Sequence, residues 1–256
     1  MANTVHFMCR LETELRPLNS FIKLVAIIPD TYVFRDMILE YHNSFRDAVA
    51  SGLLVNKNGI VFPSARRMRE LVWDSELAYL SRMHVKSLSF KHTVCRSVKR
   101  FPLVGENLSL IFTNKTKHQK VRDVLNLTLK NMFLEYKDIA DPEKSVDYFD
   151  IMQHPESLGH FTIMVNDRVS RVGCSLSIAT HCVTTKAAGH CYFLCCHYDF
   201  NNVAGEYIYK RGRPCSGCNA FDTTPSRNYL NLCTNNGQIF AKDDSKVVTR
   251  SDDDDE

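Results

Sequence analysis

The chain changes hydrophobic period part-way along. Between Asp30 and Ser51 apolar side chains return at three- and four-residue steps (Ile38, Tyr41, Phe45, Val49), which predicts a helix capped by Asp30 and ended by Gly52. The pattern resumes after Pro63-Ser64 with Met68, Leu71, Val72 and Leu80. This is a second predicted helix, with Arg66, Arg67 and Arg69 expected on its wet face. A third is expected from about His118 to Asp138 on a stripe of Val121, Leu125, Met132 and Tyr136, stopped by Asp141-Pro142. Further on, SRVGCSLSIA (170–179), CYFLCCHYDF (191–200) and EYIYK (206–210) are short, rich in aromatic or β-branched residues and separated by Gly or Asn, as two or three antiparallel strands would be. HFTIMVND (160–167) fits either period. Helices packed on an antiparallel sheet, an α+β fold, follow from this order.

Composition narrows the class. The 256 residues are 44% hydrophobic and 24% charged, which excludes a disordered chain, a collagen-like repeat or a coiled-coil rod. The net charge is +3, and the last sixteen residues hold three positive against seven negative groups, leaving +7 on the rest. That surface is mildly basic, but no helix-turn-helix, RNP or zinc-finger spacing accompanies it, so no nucleic-acid partner is expected. FIKLVAII (Phe21 to Ile28) has an internal Lys23 and is far shorter than the roughly twenty residues of a transmembrane helix, so no membrane span is expected. The terminal SDDDDE has nothing apolar to bury and is expected to be disordered.

Eight of ten cysteines (Cys174, Cys182, Cys191, Cys195, Cys196, Cys215, Cys218, Cys233) crowd into one sixty-residue stretch. Such density reads as a disulfide framework in an oxidising compartment. The competing zinc ribbon has one regular knuckle, Cys215-x-x-Cys218, but its other half would be Cys191, Cys195 and Cys196 at irregular spacing. Three N-x-S/T sequons, at Asn107, Asn114 and Asn126, favour the secretory route, with Asn114 in a polar loop the best candidate for a glycan. The first fifteen residues contain no uninterrupted apolar stretch of the signal-peptide kind, so the expectation is that a signal peptide precedes this start.

Several short motifs occur in a fixed order: HNSFR (42–46), LVWDSEL (71–77), FKHTVC (90–95), GEN (105–107), MFLEYKD (132–138), GHFTIMVNDRVSRVGC (159–174) and CCHYDFNNVAGEYIY (195–209). Together they resemble the CAP superfamily, and most closely its insect venom-allergen, antigen-5-like secreted proteins. The resemblance covers about residues 30 to 235. It implies a three-layer α-β-α sandwich around a central antiparallel sheet, with a cavity tetrad that falls here on His92, Glu106, Glu135 and His160. Two neutral imidazoles, His92 and His160, can ligate zinc or another divalent cation while the carboxylates orient them. The same four groups can equally form a hydrogen-bonded network that locks strand to helix, so no cofactor is required. The resemblance further implies that the polar side chains of HNSFR tie the first helix to the fold, and that Cys174 and Cys196 belong to the bridged set. Trp73 reads as core. The chain departs from the pattern at Leu88, where relatives commonly carry a cysteine, and at Val165 to Asp167, where many carry a tryptophan. Cys9 either pairs with Cys95 or both stay free.

The expected organisation is an N-terminal extension (1–29), a CAP domain (30–210), a cysteine-rich closing segment (211–240) and an acidic tail (241–256). The expected function is that of an extracellular, non-enzymatic binding protein taking a small apolar ligand, a sterol or fatty acid, or an extracellular protein partner. A metal-assisted hydrolase and a channel- or receptor-directed effector are the alternatives. The hydrolase lacks a G-x-S-x-G or a Cys and His pattern to supply a nucleophile.

Overall fold

The computed structural model describes residues 5–115, 117–150, 159–183, 185 and 189–242; most of the acidic tail, from residue 243, lies outside them. The helices are α1 (Leu11–Glu14), α2 (Tyr32–Ala50), α3 (Ser75–Lys86), α4 (Val121–Leu134), α5 (Pro142–Asp147) and α6 (Gly159–Met164). The strands are β1 (Lys23–Ile27), β2 (Val72–Trp73), β3 (Gly105–Thr113), β4 (Arg171–Thr180) and β5 (His190–Tyr198). Four strands form an antiparallel sheet in the order β1-β4-β5-β3, and β2 adds to β4 in parallel.

Alternation along the two central strands explains the three layers. On β4 and β5, Cys174, Leu176, Ile178, Tyr192, Leu194, Cys196 and Tyr198 face a core shared with α2, α4 and α6. The intervening Ala179, Cys191, Phe193 and Cys195 pack with Val85 of α3 and Leu88 just beyond it. Both faces of the sheet are therefore covered, as in the α-β-α sandwich the motifs imply. Two glycines permit the close approach. A Cβ on Gly173 would stand 2.1 Å from the backbone nitrogen of Ala78 in α3, and one on Gly105 would stand 2.1 Å from Ile163 Cδ1 of α6.

Helix α2 lies where its stripe predicts, but Thr31 caps it, accepting from the Phe34 N–H at 3.3 Å. Asp30 instead makes a two-pronged ion pair with Arg35. The second helix begins twelve residues after Pro63, capped by Asp74 through the Glu76 and Leu77 N–H groups. Residues 63–71 do not form a helix, and the wet-face expectation fails for Arg67 and Arg69, both fully buried. Arg67 pairs with buried Asp167 at 2.9 Å, while Arg69 donates to the carbonyls of Gln238 and Arg168 and stacks 3.6 Å over Phe221. Burying these charges requires partners some hundred or more residues away, which local periodicity cannot register.

EYIYK is not a strand: Tyr209 donates to the Pro63 carbonyl and Lys210 N–H to Asp167, so the segment lines the 63–67 stretch. Helix α4 passes into a 3-10 turn at Glu135–Asp138, and Asp141 caps α5 rather than merely stopping its predecessor. HFTIMVND resolves in favour of helix, as α6. Residues 23–27, inside the stretch assigned to an N-terminal extension, are the edge strand β1 of the sheet.

Among the described residues three disulfides form: Cys174–Cys196 across β4 and β5, Cys182–Cys191 over the hairpin joining them, and Cys218–Cys233 in the closing segment. Loops of this length stabilise by about 3 kcal/mol each. Cys9, Cys95, Cys195 and Cys215 carry free thiols, contrary to the expectation of bridging for Cys195 and Cys215. Cys218 is bridged to Cys233, so the Cys215-x-x-Cys218 knuckle does not exist as a zinc ligand pair. The Cys9 and Cys95 segments nonetheless meet, through the Phe7 N–H on the Cys95 carbonyl at 2.8 Å.

Candidate functional site

The first carboxylate of the tetrad, Glu106, opens β3, and its neighbours are set by register. Opposite it on β5 stands His197, with Cys195 opposite Leu108, so all point to the α3 side of the sheet. Asn107 points the other way. Glu106 Oε1 accepts from His92 Nδ1 at 2.7 Å and the Thr93 N–H at 3.1 Å. Its Oε2 accepts from His84 Nδ1, the Thr93 hydroxyl and His197 Nε2, each at 3.0 Å. Arg96 lies 3.9 Å from Oε1. Burial alone would raise the Glu106 pKa, but the imidazole donors His197, His84 and His92 outweigh it and hold the carboxyl well below its ordinary range.

The second pair sits in the α4 and α6 layer. Glu135, in the 3-10 turn after α4, accepts from His160 Nδ1 at 2.6 Å and from the Phe161 N–H at 2.9 Å, which fixes the start of α6. Asn107 joins the two pairs across edge strand β3, its amide donating to the His160 carbonyl and to the Tyr198 hydroxyl, both at 3.2 Å. The Tyr198 hydroxyl also meets His42 Nε2 at 2.9 Å, and His42 Nδ1 meets the Ile38 carbonyl at 2.8 Å. A hydrogen-bonded chain thus runs from the HNSFR helix to the backbone of His160. His42 is structural in this arrangement, and burial pushes its pKa down to about 4.

His92 is well exposed, at 60% of its side chain, and His160 partly so, at 28%; Glu106 is fully buried. In each pair the carboxylate takes Nδ1, leaving Nε2 as the atom available to a ligand. That is the arrangement by which a carboxylate orients a metal-binding imidazole.

Behind Glu106 lies a group that motif reading did not single out. His84, Glu106, Cys195 and His197 each offer a ligand-type atom, all within 4.8 Å of one another and all buried. The signal was present. Leu77, Leu80, Ser81, His84 and Val85 all lie on the buried stripe of α3, and Cys195 and His197 alternate onto one face of β5. The Cys195 thiol is pushed well above its ordinary range by burial and by Glu106.

Among the sequons, Asn107 is 1% exposed with its amide doubly committed, which excludes it as a glycan acceptor. Asn114 and Asn126 are exposed. Mass spectrometry of chain secreted from insect cells is expected to find a glycan on Asn114 and none on Asn107.

A model of the cysteine-rich secretory protein family, CAP, matches residues 39–198. The chain belongs to the CAP family. Venom allergen-1 of Aedes albopictus is 34% identical over 207 residues, covering 81% of this chain and 75% of that protein. Venom allergen 5 of Dolichovespula arenaria is 29% identical over 208 residues, covering 80% of this chain and 94% of the relative. The crystal structure of NaASP2 with Zn2+ matches 80% of this chain and 98% of its own with a TM-score of 0.64 at 23% identity. That of BmVAL-1 matches 80% and 95% with the same TM-score at 24% identity. Both neighbours establish the CAP fold here. Among the described residues of this CAP chain, no helix is long and apolar enough to cross a membrane.

Proposed function

We propose that this CAP protein acts outside the cell as a non-enzymatic binding protein of the antigen-5 type, holding a divalent cation at its surface through His92 and His160. The observation that carries the reading is the commitment of both Nδ1 atoms to carboxylates, at 2.7 and 2.6 Å. Each imidazole is thereby held in the tautomer whose Nε2 lone pair faces outward. Two imidazoles supply half of a zinc coordination shell, so water or a partner's side chain completes it and the ion is held weakly. A bound cation would supply a positive anchor for a partner's acidic group. The three disulfides and the relatives named as venom allergens support an extracellular site of action. A relative of the same fold was crystallised with Zn2+, which favours zinc as the first ion to try.

An apolar ligand has a weaker case. The groove between β3 and α4, lined by Ile111, Phe112, Val124, Leu127 and Tyr192, has a volume of about 270 Å3. Small-molecule sites typically occupy about 300–1,000 Å3, so an acyl chain suits this groove better than a sterol.

Equilibrium dialysis tests the metal reading. The folded chain is expected to take up an exchangeable equivalent of zinc that the His92→Ala, His160→Ala double variant loses while remaining cooperatively folded, at a stability cost of about 1–3 kcal/mol for the carboxylates left without imidazole partners. Equal zinc uptake by the double variant would overturn the reading.

A further inference from the structure

We infer that His84, Cys195, His197 and Glu106 form a second, interior metal site, built for zinc or an ion of similar softness and distinct from the His92 and His160 pair. The donor set is two imidazoles, a thiol and a carboxylate, the ligand types of a closed tetrahedral zinc centre. One ligand atom from each lies within 4.8 Å of the others. Tetrahedral zinc with bonds of about 2.0–2.3 Å places its ligands about 3.2–3.8 Å apart, so side-chain adjustments of about 1 Å close the shell. With Cys195 giving up its thiol proton, the thiolate and the Glu106 carboxylate neutralise a dication, and the buried site carries no net charge.

Two features of the hydrogen bonding point the same way. Nε2 of His84 is buried and has no hydrogen-bond partner among the described residues, while its Nδ1 stands 3.0 Å from Glu106 Oε2. His197 is short of protons as well. Ser81 donates its single hydroxyl proton to the Gly173 carbonyl at 2.7 Å, while its oxygen stands 2.8 Å from His197 Nδ1. With Nε2 donating to Glu106 Oε2 at 3.0 Å, a neutral His197 turns a bare Nδ1 on the Ser81 oxygen, whose one proton is already given to Gly173. A cation in place of the Nε2 proton lets Nδ1 carry the proton and donate to Ser81, and a second proton on His197 is the competing solution. Phe7 stacks on the His197 ring with centroids 6.2 Å apart and is itself fully buried, so the N-terminal segment covers the cluster. Glu106 spans both sites, presenting Oε1 to the exposed His92 and Oε2 to the interior.

Cobalt substitution separates the two sites, because only the interior one contains sulfur. The full chain, produced with Co2+ in place of zinc, is expected to show thiolate-to-cobalt charge-transfer absorption in the near ultraviolet. The band should survive in the His92→Ala, His160→Ala variant and disappear in Cys195→Ser, with metal content falling by one equivalent in each. Should Cys195→Ser fail to fold, X-ray absorption at the cobalt edge of the unmutated chain decides the matter: one sulfur in the shell supports the site, and a shell of nitrogen and oxygen alone overturns it. A folded, cobalt-saturated chain without the band, or a band retained by Cys195→Ser, overturns it too. Loss of the exchangeable equivalent in the surface variant with no interior band would sustain the His92 and His160 reading while refuting this one.

Discussion

Replacing Arg46 by Met is expected to destabilise the fold by about 3–5 kcal/mol, a large part of the about 5–15 kcal/mol that holds a typical domain. Arg46 is fully buried, and among the described residues no carboxylate forms an ion pair with it. Its guanidinium donates to four backbone carbonyls: Arg69 at 2.8 Å, Met164 and Asn166 at 2.9 Å, and Val169 at 3.2 Å. One side chain of α2 thereby ties down the irregular segment before β2 and the loop that leaves α6. Burial pulls its pKa down to about 9, so the charge persists at neutral pH, with Asp167 and Asp199 acting against the loss. Methionine fills a similar volume but leaves the carbonyls without donors, the costly kind of change. Lysine, with three donors on one atom, cannot reach carbonyls spread around a planar fork, and Arg46→Lys is expected to recover only part of the loss. Urea unfolding of the three proteins measures this; a Met variant within 1 kcal/mol of the parent would show that the carbonyls find other donors.

The same residue shows where reading a chain succeeds and where it stops. The tie between the first helix and the rest is what the resemblance of HNSFR to its family counterpart implies, and the same resemblance, through GEN and GHF, points to Glu106 and His160. The resemblance names the four residues but not which carboxylate holds which imidazole, a pairing that only the folded register supplies. Arg67 and Arg69 are not legible even to that extent. Helical periodicity treats an arginine as a solvent-facing residue, and nothing within twenty positions discloses Asp167, Phe221 or the Gln238 carbonyl. β1 is hidden for a different reason: FIKLVAII is too short for a bilayer, and the strand it pairs with, β4, lies about 150 residues later. The interior cluster around Glu106 needs α3, β3 and β5 in register at once. Only the helix stripe and strand alternation, superposed, could have suggested it.

Acidification from pH 6.5 to 4 is expected to remove about 3 kcal/mol of stability through His42 alone. The unfolded chain protonates this imidazole near its ordinary pKa of about 6.5, whereas burial holds the folded group down to about 4. Between these values the unfolded state binds the extra proton, so stability is fully present above pH 6.5, falls as pH drops, and levels off below 4. Burial depresses His197 in the same direction, against the pull of Glu106. Glu106 acts lower on the scale. Its folded pKa lies well below the carboxylate range, so its contribution is present above about pH 4.3 and is lost as the pH falls further. A His42→Gln variant keeps a polar group near the Tyr198 hydroxyl but does not titrate, and its urea midpoint should lose the His42 share of the slope between pH 6.5 and 4.5. If the parent chain unfolds at the same urea concentration throughout that window, His42 is not neutral in the fold. The hydrogen-bonded chain from α2 through Tyr198 and Asn107 to His160 would then have to be redrawn around an imidazolium.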